Sequence, residues 1–394
     1  MKLAVIISGS DYHNFVGINK IAVTRAELLK KNYDYEVDYF YLECKYEYLS
    51  FRNIFKELEL YSTVVYDKNI YVLQKKQFVS SNKFLKLLLR VYYKIFKRKI
   101  SDWKWQESLG KFIKGYDLIT AHFNDAALIA FGAKQRYGTP YCVTWHGSDI
   151  HTIPHKDSAA KSKTIEAIEN ANYNFFVSKA LLEKSNELTL KGIKGVIYNS
   201  ADGGFVKFSD VSRLSLRNKY NVTNCKVVSF VGHLIDIKNA LLLPEIFKKI
   251  QDEFQNKISF WIIGEGNQHN DIDEKLKKFN LNAKMWGSMD PNDIPYLLNC
   301  TDVLVLPSKN EGLPLVTIEA LKCGANVVGS RVGGIPEVIG DDYCITLNEN
   351  FVDNFSSKVI ELLYKSETQH IPSFMTWESI VAAENSIYRS IKNC

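Results

Sequence analysis

Ser308-Lys-Asn-Glu-Gly-Leu-Pro-Leu-Val-Thr-Ile-Glu-Ala-Leu-Lys-Cys-Gly324 is the stretch of this 394-residue chain that decides its fold. It follows a β-branched run, Asp302–Leu306, that reads as a buried strand. A tight turn through Asn310-Glu311-Gly312 comes next, and Pro314 stands where a first helical position is expected, a favoured place for proline. The helix then runs toward Gly324, a suitable C-terminal stop. The first amides of such a helix have no internal partners and carry partial positive charge. With Gly312 letting a ligand approach the backbone, the strand–turn–helix unit predicts a diphosphate site. Two carboxylates bracket it, Glu311 in the turn and Glu319 in the helix. A carboxylate can accept two hydroxyl hydrogen bonds, which suits a sugar or a ribose flanking a diphosphate. Taken alone, the pair also fits a capping group and a solvated helix face; the Asn-Glu-Gly-Leu-Pro turn favours the ligand.

Outward from this unit the second half of the chain alternates regularly. Apolar runs at Lys226–Val231, Ile258–Ile263, Ala283–Trp286, Asn326–Val328 and Tyr343–Leu347 are separated by helical patterns near 239–252, 270–279, 290–299, 314–323 and 351–365. Alternating strand and helix implies a parallel sheet covered on both faces. The first half starts the same way, with a strand at Leu3–Ile7, a loop to Gly17 and a helix over Lys20–Lys31, then strands at Leu118–Ala121, Tyr141–Trp145 and Phe175–Ser178. The expected class is α/β, two doubly wound Rossmann-like domains facing a central cleft, with ligands beyond the carboxyl ends of the strands. The polar connection Ala201-Asp202-Gly203-Gly204 sets the division into residues 1–203 and 204–375.

Composition narrows the classes further. With 46% hydrophobic and 24% charged residues the chain is an ordinary globular protein. Its seven cysteines are scattered without a Cys-x-x-Cys pair, which argues against a disulfide scaffold or zinc ribbon and for a reducing cytosol. No run of 18 apolar residues occurs, so no spanning helix is expected. The net +6 hides an asymmetry. Residues 1–200 carry 30 Lys/Arg against 20 Asp/Glu, and the remainder 20 against 24, which points to an anionic partner for the first half. Its densest part, Lys83–Lys99, aligns Lys83, Lys86, Arg90, Lys94 and Lys97 in one stripe at helical spacing, with Phe84, Leu87, Leu88, Val91 and Ile95 mostly opposite. A helix on an anionic membrane surface and a domain helix with its polar stripe in water both fit. No recognition motif for nucleic acid accompanies the charge.

The segment Val305–Leu321 resembles the donor-site signature of family 4 glycosyltransferases, retaining enzymes of the GT-B fold, whose two glutamates match Glu311 and Glu319. Gly329-Ser-Arg-Val-Gly-Gly-Ile-Pro-Glu337, Phe230-Val-Gly-His-Leu-Ile-Asp-Ile-Lys238, Ile263-Gly-Glu-Gly266 and Tyr198-Asn-Ser-Ala-Asp202 resemble further family segments, in the expected order. The resemblance implies that Glu319 holds the nucleotide ribose, Glu311 the hydroxyls of the donor sugar and Lys238 the diphosphate, with the amides around Gly312 and Leu313 assisting. Fixed donors of this kind stabilise a departing nucleoside diphosphate without a metal. Where the family usually has arginine this chain has His233, whose charge depends on pH, so donor affinity is expected to weaken from about pH 6 to 8 unless His233 only packs in its loop.

In the first half, His146-Gly-Ser-Asp149 resembles the family's "H-G-x-D" loop, which places His146 at the donor sugar and reacting centre and Asp149 in the acceptor and phosphate loop. A strand-end histidine can equally be structural. The loop Gly9–Gly17 resembles the family's acceptor-side loop and brings Gly17 close to the diphosphate or acceptor, or leaves it a plain loop glycine. The last helix, 376–394, is expected to complete the first domain, as in that family. Asp271-Ile272-Asp273 lies in a polar helix start and is not taken as a metal site. The expectation is a cytosolic enzyme, peripheral to the inner face of the membrane, that moves a sugar from a nucleotide-sugar donor, a UDP-sugar, to a glycan or lipid-diphosphate acceptor in surface polysaccharide synthesis. It needs no metal or other cofactor. A nucleotide-sugar hydrolase or epimerase and a non-catalytic sugar-nucleotide binder are the alternatives.

Overall fold

The computed structural model describes residues 1–8, 18–48, 61–79, 83, 84, 87, 109–365 and 368–393. The chain divides into two compact units. Unit 1 comprises Met1–Val177, Leu181–Ile197 and Trp377–Cys394; unit 2 comprises Ser178–Ala180 and Tyr198–Thr376.

Unit 1 is built on an eight-stranded sheet. Its strands are β1 (Lys2–Ile7), β2 (Glu36–Tyr48), β3 (Tyr61–Asp67), β4 (Ile70–Val79), β5 (Leu118–His122), β6 (Tyr141–Trp145), β7 (Tyr173–Phe176) and β8 (Lys194–Val196). They lie in the order β3-β4-β2-β1-β5-β6-β7-β8, all parallel except the β3/β4 pair. Its helices among the described residues include α1 (Ile18–Tyr33), α2 (Asn124–Tyr137), the single turn α3 (Ser148–His151), α4 (Ser158–Asn170) and α5 (Lys179–Asn186), whose first two residues belong to unit 2. Strands β5 and β6 are buried along their whole length, as a parallel sheet covered on both faces requires. Strands β2–β4 fill a region to which the residue pattern assigns no element. Charged residues such as Glu36, Asp38, Lys75 and Lys76 interrupt the apolar runs there, and the strands are set by pairing with β1 and with each other.

Unit 2 carries a six-stranded, wholly parallel sheet in the order β11-β10-β9-β12-β13-β14. Its strands are β9 (Lys226–Val231), β10 (Ile258–Ile263), β11 (Ala283–Gly287), β12 (Val303–Leu306), β13 (Asn326–Ser330) and β14 (Cys344–Ile345). The helices are α6 (Asp210–Lys219), α7 (Leu243–Phe254), α8 (His269–Lys278), α9 (Ile294–Cys300), α10 (Leu315–Lys322), α11 (Ile335–Ile339) and α12 (Phe351–Tyr364). Helix α7 shows why the alternation folds this way. Leu243, Ile246, Phe247 and Ile250 fall on one face and are buried, and the Phe247 ring stacks on Phe260 of β10 at 4.3 Å.

The chain ends with α13 (Trp377–Lys392) in unit 1. Ile380, Val381 and Tyr388 enter the same core as Leu3, Val5 and Ile7 of β1 and Ala22, Ala26 and Leu29 of α1. Beside them lies a fully buried ion pair. Arg25 of α1 donates from Nε and Nη2 to the two carboxylate oxygens of Glu384, at 2.9 and 2.8 Å.

Candidate functional site

In unit 2 the strand order reverses at β9, which has β10 on one side and β12 on the other. Such a reversal opens a crevice beyond the carboxyl ends of the strands. His233 and Lys238 lie on the loop leaving β9, Glu311, Gly312 and Leu313 on the loop leaving β12, and Glu319 in α10.

The two loops are bound to each other. Lys238 Nζ donates to Glu311 Oε1 at 2.6 Å, and Ser308 Oγ donates to the same oxygen at 2.7 Å. The amide of Lys309 donates to Ile237 O at 2.8 Å, and Lys309 Nζ to Asp236 Oδ1 at 2.6 Å. Lys238 is 23% exposed and Glu311 10%, so this cation is fixed at a sheltered spot against the turn that precedes α10. Helix α10 has no acidic residue in its first turn, so nothing there opposes an anion at its open amides. Pro314 is the N-cap, not the first helical residue: its ψ of 112° is extended, and α10 starts at Leu315. At the other end Gly324, with φ +84°, closes the helix.

Two backbone approaches shape the floor of the crevice. Gly334 N donates to Gly312 O at 3.0 Å, and a Cβ at Gly333 (φ +51°) would stand 1.8 Å from Glu311 O. Only residues without a side chain let this segment pack against the Glu311–Gly312 turn. Likewise a Cβ at Gly264 would stand 2.0 Å from Gly232 O, where Gly232 N bonds Ile263 O at 2.9 Å. His233, beside Gly232, is exposed and not packed into its loop. Glu319 is partly buried. Glu337 is committed elsewhere in unit 2, accepting from the amides of Lys179 and Ala180 at 2.8 and 3.0 Å and from Tyr198 OH at 2.9 Å. Ser308 is a member of the site to which the sequence assigned no role. Its signal was its position three residues ahead of Glu311 at a strand end.

Unit 1 presents a second cluster at the ends of β5 and β6. His146, 8% exposed, directly follows β6. Its loop is held by Asp149, whose carboxylate accepts from His146 N at 3.1 and 3.0 Å and from Gly147 N at 2.7 Å. Asp149, expected to serve an acceptor or phosphate, is instead fully buried and spends both oxygens on its own backbone. Burial pushes its carboxyl up to about 6 against the pull of those amides. Burial, and then the positive charge of Arg25, bring the His146 imidazole down to about 3, so it is neutral near pH 7 and can hydrogen-bond but not carry charge. Its partner is one the sequence did not reveal: His122 Nδ1 lies 3.1 Å from His146 Nε2. His122 is lowered well below the usual imidazole range, first by burial, then by His146 and Arg25. It shows in the sequence only as the polar end of an apolar strand.

Gly17, the loop Gly9–Gly17, and Lys83–Lys99 apart from Lys83, Phe84 and Leu87 lie outside the described residues. Among the described residues no helix is long and apolar enough to cross a membrane, and no group of three or more His, Cys, Asp or Glu is placed to hold a metal. Asp273 is paired with Lys277 at 2.5 Å.

Residues 212–373 match the family described as glycosyl transferases group 1. The chain is 28% identical to N-acetyl-alpha-D-glucosaminyl L-malate synthase of Bacillus anthracis, over 57% of this chain and 58% of that protein, so the match spans little more than half of that relative. It is 27% identical to UDP-Gal:alpha-D-GlcNAc-diphosphoundecaprenol alpha-1,3-galactosyltransferase of Escherichia coli, over 67% and 71% of the two chains. Its fold is similar to that of Anabaena HepE solved with UDP-glucose, with a TM-score of 0.64 at 16% identity, covering 100% of this chain and 98% of the other.

Proposed function

We propose that this chain, whose residues 212–373 match the family described as glycosyl transferases group 1, is a retaining, family 4 glycosyltransferase of GT-B fold that transfers a sugar from a UDP-sugar to a lipid-diphosphate-linked or glycan acceptor in surface polysaccharide synthesis. One observation carries the donor half of this reading: Lys238 and Ser308 both donate to one carboxylate oxygen of Glu311 just ahead of the open amino end of α10. A cation and unpaired amides receive the diphosphate, and the carboxylate beside them receives sugar hydroxyls. Lys238, paired with Glu311 in the free protein, turns toward the phosphates when donor binds, which leaves Glu311 for the sugar. Glu319 holds the ribose, and neutral His146 hydrogen-bonds the donor sugar. His233 adds charge near the phosphates when protonated. Leu313 and Gly312 contribute backbone amides.

In the reaction the bond from the anomeric carbon to the phosphate oxygen breaks. A bond to the acceptor oxygen forms on the same face, and the acceptor's proton passes to the departing phosphate. Lys238 and the α10 amides stabilise the charge that grows on the leaving group, with no resident metal. The choice of a UDP donor and a lipid-diphosphate acceptor is supported by the names of the Escherichia coli relative and of the Anabaena complex, and by the basic excess of residues 1–200.

The test is a thermal-shift panel of UDP-, GDP-, ADP- and TDP-sugars on the wild type and on Glu319→Ala. A UDP-sugar should raise the melting point through linkage, and the variant should lose that rise. NMR of the product's anomeric proton then reads the stereochemistry. Inversion, or donor turnover that needs no acceptor, would reject the assignment.

A further inference from the structure

We propose that His122 is a positioning residue for His146, fixing which ring nitrogen of His146 bears the proton and therefore what His146 offers a donor sugar from Nδ1. The inference rests on the assignment of His146 to that sugar.

The juxtaposition is built by the sheet. Strands β5 and β6 are parallel neighbours with His122 opposite Thr144, so the last residue of β5 and the first residue beyond β6 emerge side by side. Their facing nitrogens, His122 Nδ1 and His146 Nε2, are 3.1 Å apart. His122 is 1% exposed and His146 8%, and both imidazoles are held neutral by burial. Each neutral ring has one N–H and one bare nitrogen. A hydrogen bond between the facing nitrogens needs one proton there and not two. If His122 donates, the proton of His146 resides on Nδ1; if His146 donates, its Nδ1 is a bare acceptor. Either way the tautomer of His146 is locked to that of His122, because the facing nitrogens lie within hydrogen-bond distance in a nearly buried pair.

The backbone adds a second mark of constraint. Phe123 has φ +80° and ψ 163°, a conformation bulky L-residues adopt only when their surroundings impose it. Its ring lies 5.4 Å from that of His146 and 24° from parallel, and the His122 ring lies at 5.4 Å and 25°. The strained residue thus helps set the plane of the ring whose proton His122 sets.

The experiment combines imidazole ¹⁵N NMR with titrations of UDP-glucose and UDP. In the wild type, His146 should show one protonated and one bare nitrogen. In His122→Leu the two should average, and UDP-glucose should bind about 10-fold more weakly while UDP changes less than about 2-fold, the loss expected for one hydrogen bond. His122→Asn, whose amide takes the place of Nδ1, should restore both readouts; His122→Gln, whose amide takes the place of Nε2, should not. Should His122→Leu not fold, the Asn and Gln pair decides alone, and equal behaviour of the two would overturn the proposal. So would a single, unchanged His146 tautomer in His122→Leu. His146→Ala separates the two levels: if it leaves the ratio of UDP-glucose to UDP affinity untouched, the assignment of His146 itself fails. If it lowers that ratio and His122→Leu does not, only the positioning role fails.

Discussion

Removing the carboxylate of Glu384 should destabilise unit 1 by several kcal/mol although the residue lies ten positions from the chain end. Arg25 and Glu384 are each 1% exposed and joined by two near-ideal hydrogen bonds, and Tyr388 OH donates to the same carboxylate. Glu384→Ala leaves the guanidinium buried with no carboxylate partner among the described residues, against a long contact to Thr144 Oγ1 at 3.5 Å and the face of Phe175 at 5.9 Å. Breaking one side of a buried pair costs about 3–5 kcal/mol. For a unit of roughly 200 residues each kcal/mol lowers the melting point by about 2–4 °C, so a fall of about 6–20 °C is expected. Replacing both partners, Arg25→Met with Glu384→Leu, should recover most of that loss, because the pair's own attraction barely exceeds its desolvation cost. Thermal and urea unfolding followed by circular dichroism give both numbers. A single variant within about 1 kcal/mol of wild type, or a double variant as weak as the single, would refute the argument that an orphaned charge is the cause. The effect should reach the proposed chemistry as well, since Thr144 stands two residues before His146.

Lys238→Met should weaken UDP-sugar binding by about 10- to 150-fold, the equivalent of a charge-assisted hydrogen bond of about 1.5–3 kcal/mol, while uridine, which lacks phosphates, binds unchanged in calorimetry. A parallel loss for uridine would mean the loop had collapsed. Gly333→Ala should abolish donor binding without unfolding the protein, because a methyl group 1.8 Å from Glu311 O must displace the turn ahead of α10; a donor-induced thermal shift equal to that of wild type would contradict this. The pH dependence of stability has opposing parts, and the buried His122, also held below the usual imidazole range, adds to the loss that His146 brings. His146, at about 3 when folded against an ordinary 6.5, refuses a proton that the unfolded chain takes up, so stability drains as pH falls below about 6.5, by at most about 1.4 kcal/mol per pH unit. Asp149, at about 6 when folded against an ordinary 3.8, takes up its proton early and offsets that loss between about pH 6 and 4. Asp149→Asn should therefore steepen the acid loss of unfolding free energy in that window, whatever its cost at pH 7; an unchanged slope in pH-resolved urea titrations would show that Asp149 does not titrate there.

What the sequence determined by itself is what is encoded within about one strand–turn–helix unit. The boundaries of β9, β10, β12 and α10 follow from apolar runs, turn residues and a terminal glycine only a few positions apart, and the anion-seeking end of α10 follows from the helix itself. Even there the register slipped by one at Pro314, because a proline tolerates both the N-cap and the first turn. Tertiary structure alone decided the pairings between distant positions. Lys238 and Glu311 are 73 residues apart, Arg25 and Glu384 359, and His122 and His146 24. Asp149 was expected at the acceptor and phosphate loop through the resemblance of His146-Gly-Ser-Asp149 to a family segment, yet its buried carboxylate is bonded to the amides of its own loop. Strands β2–β4 were likewise settled by their neighbours and not by their own pattern. The reason is common to all of these. Local propensity and helix-end electrostatics act along a few covalent bonds, whereas the partner of a buried charge or imidazole is fixed by strand order, and strand order minimises exposed apolar surface over a whole domain.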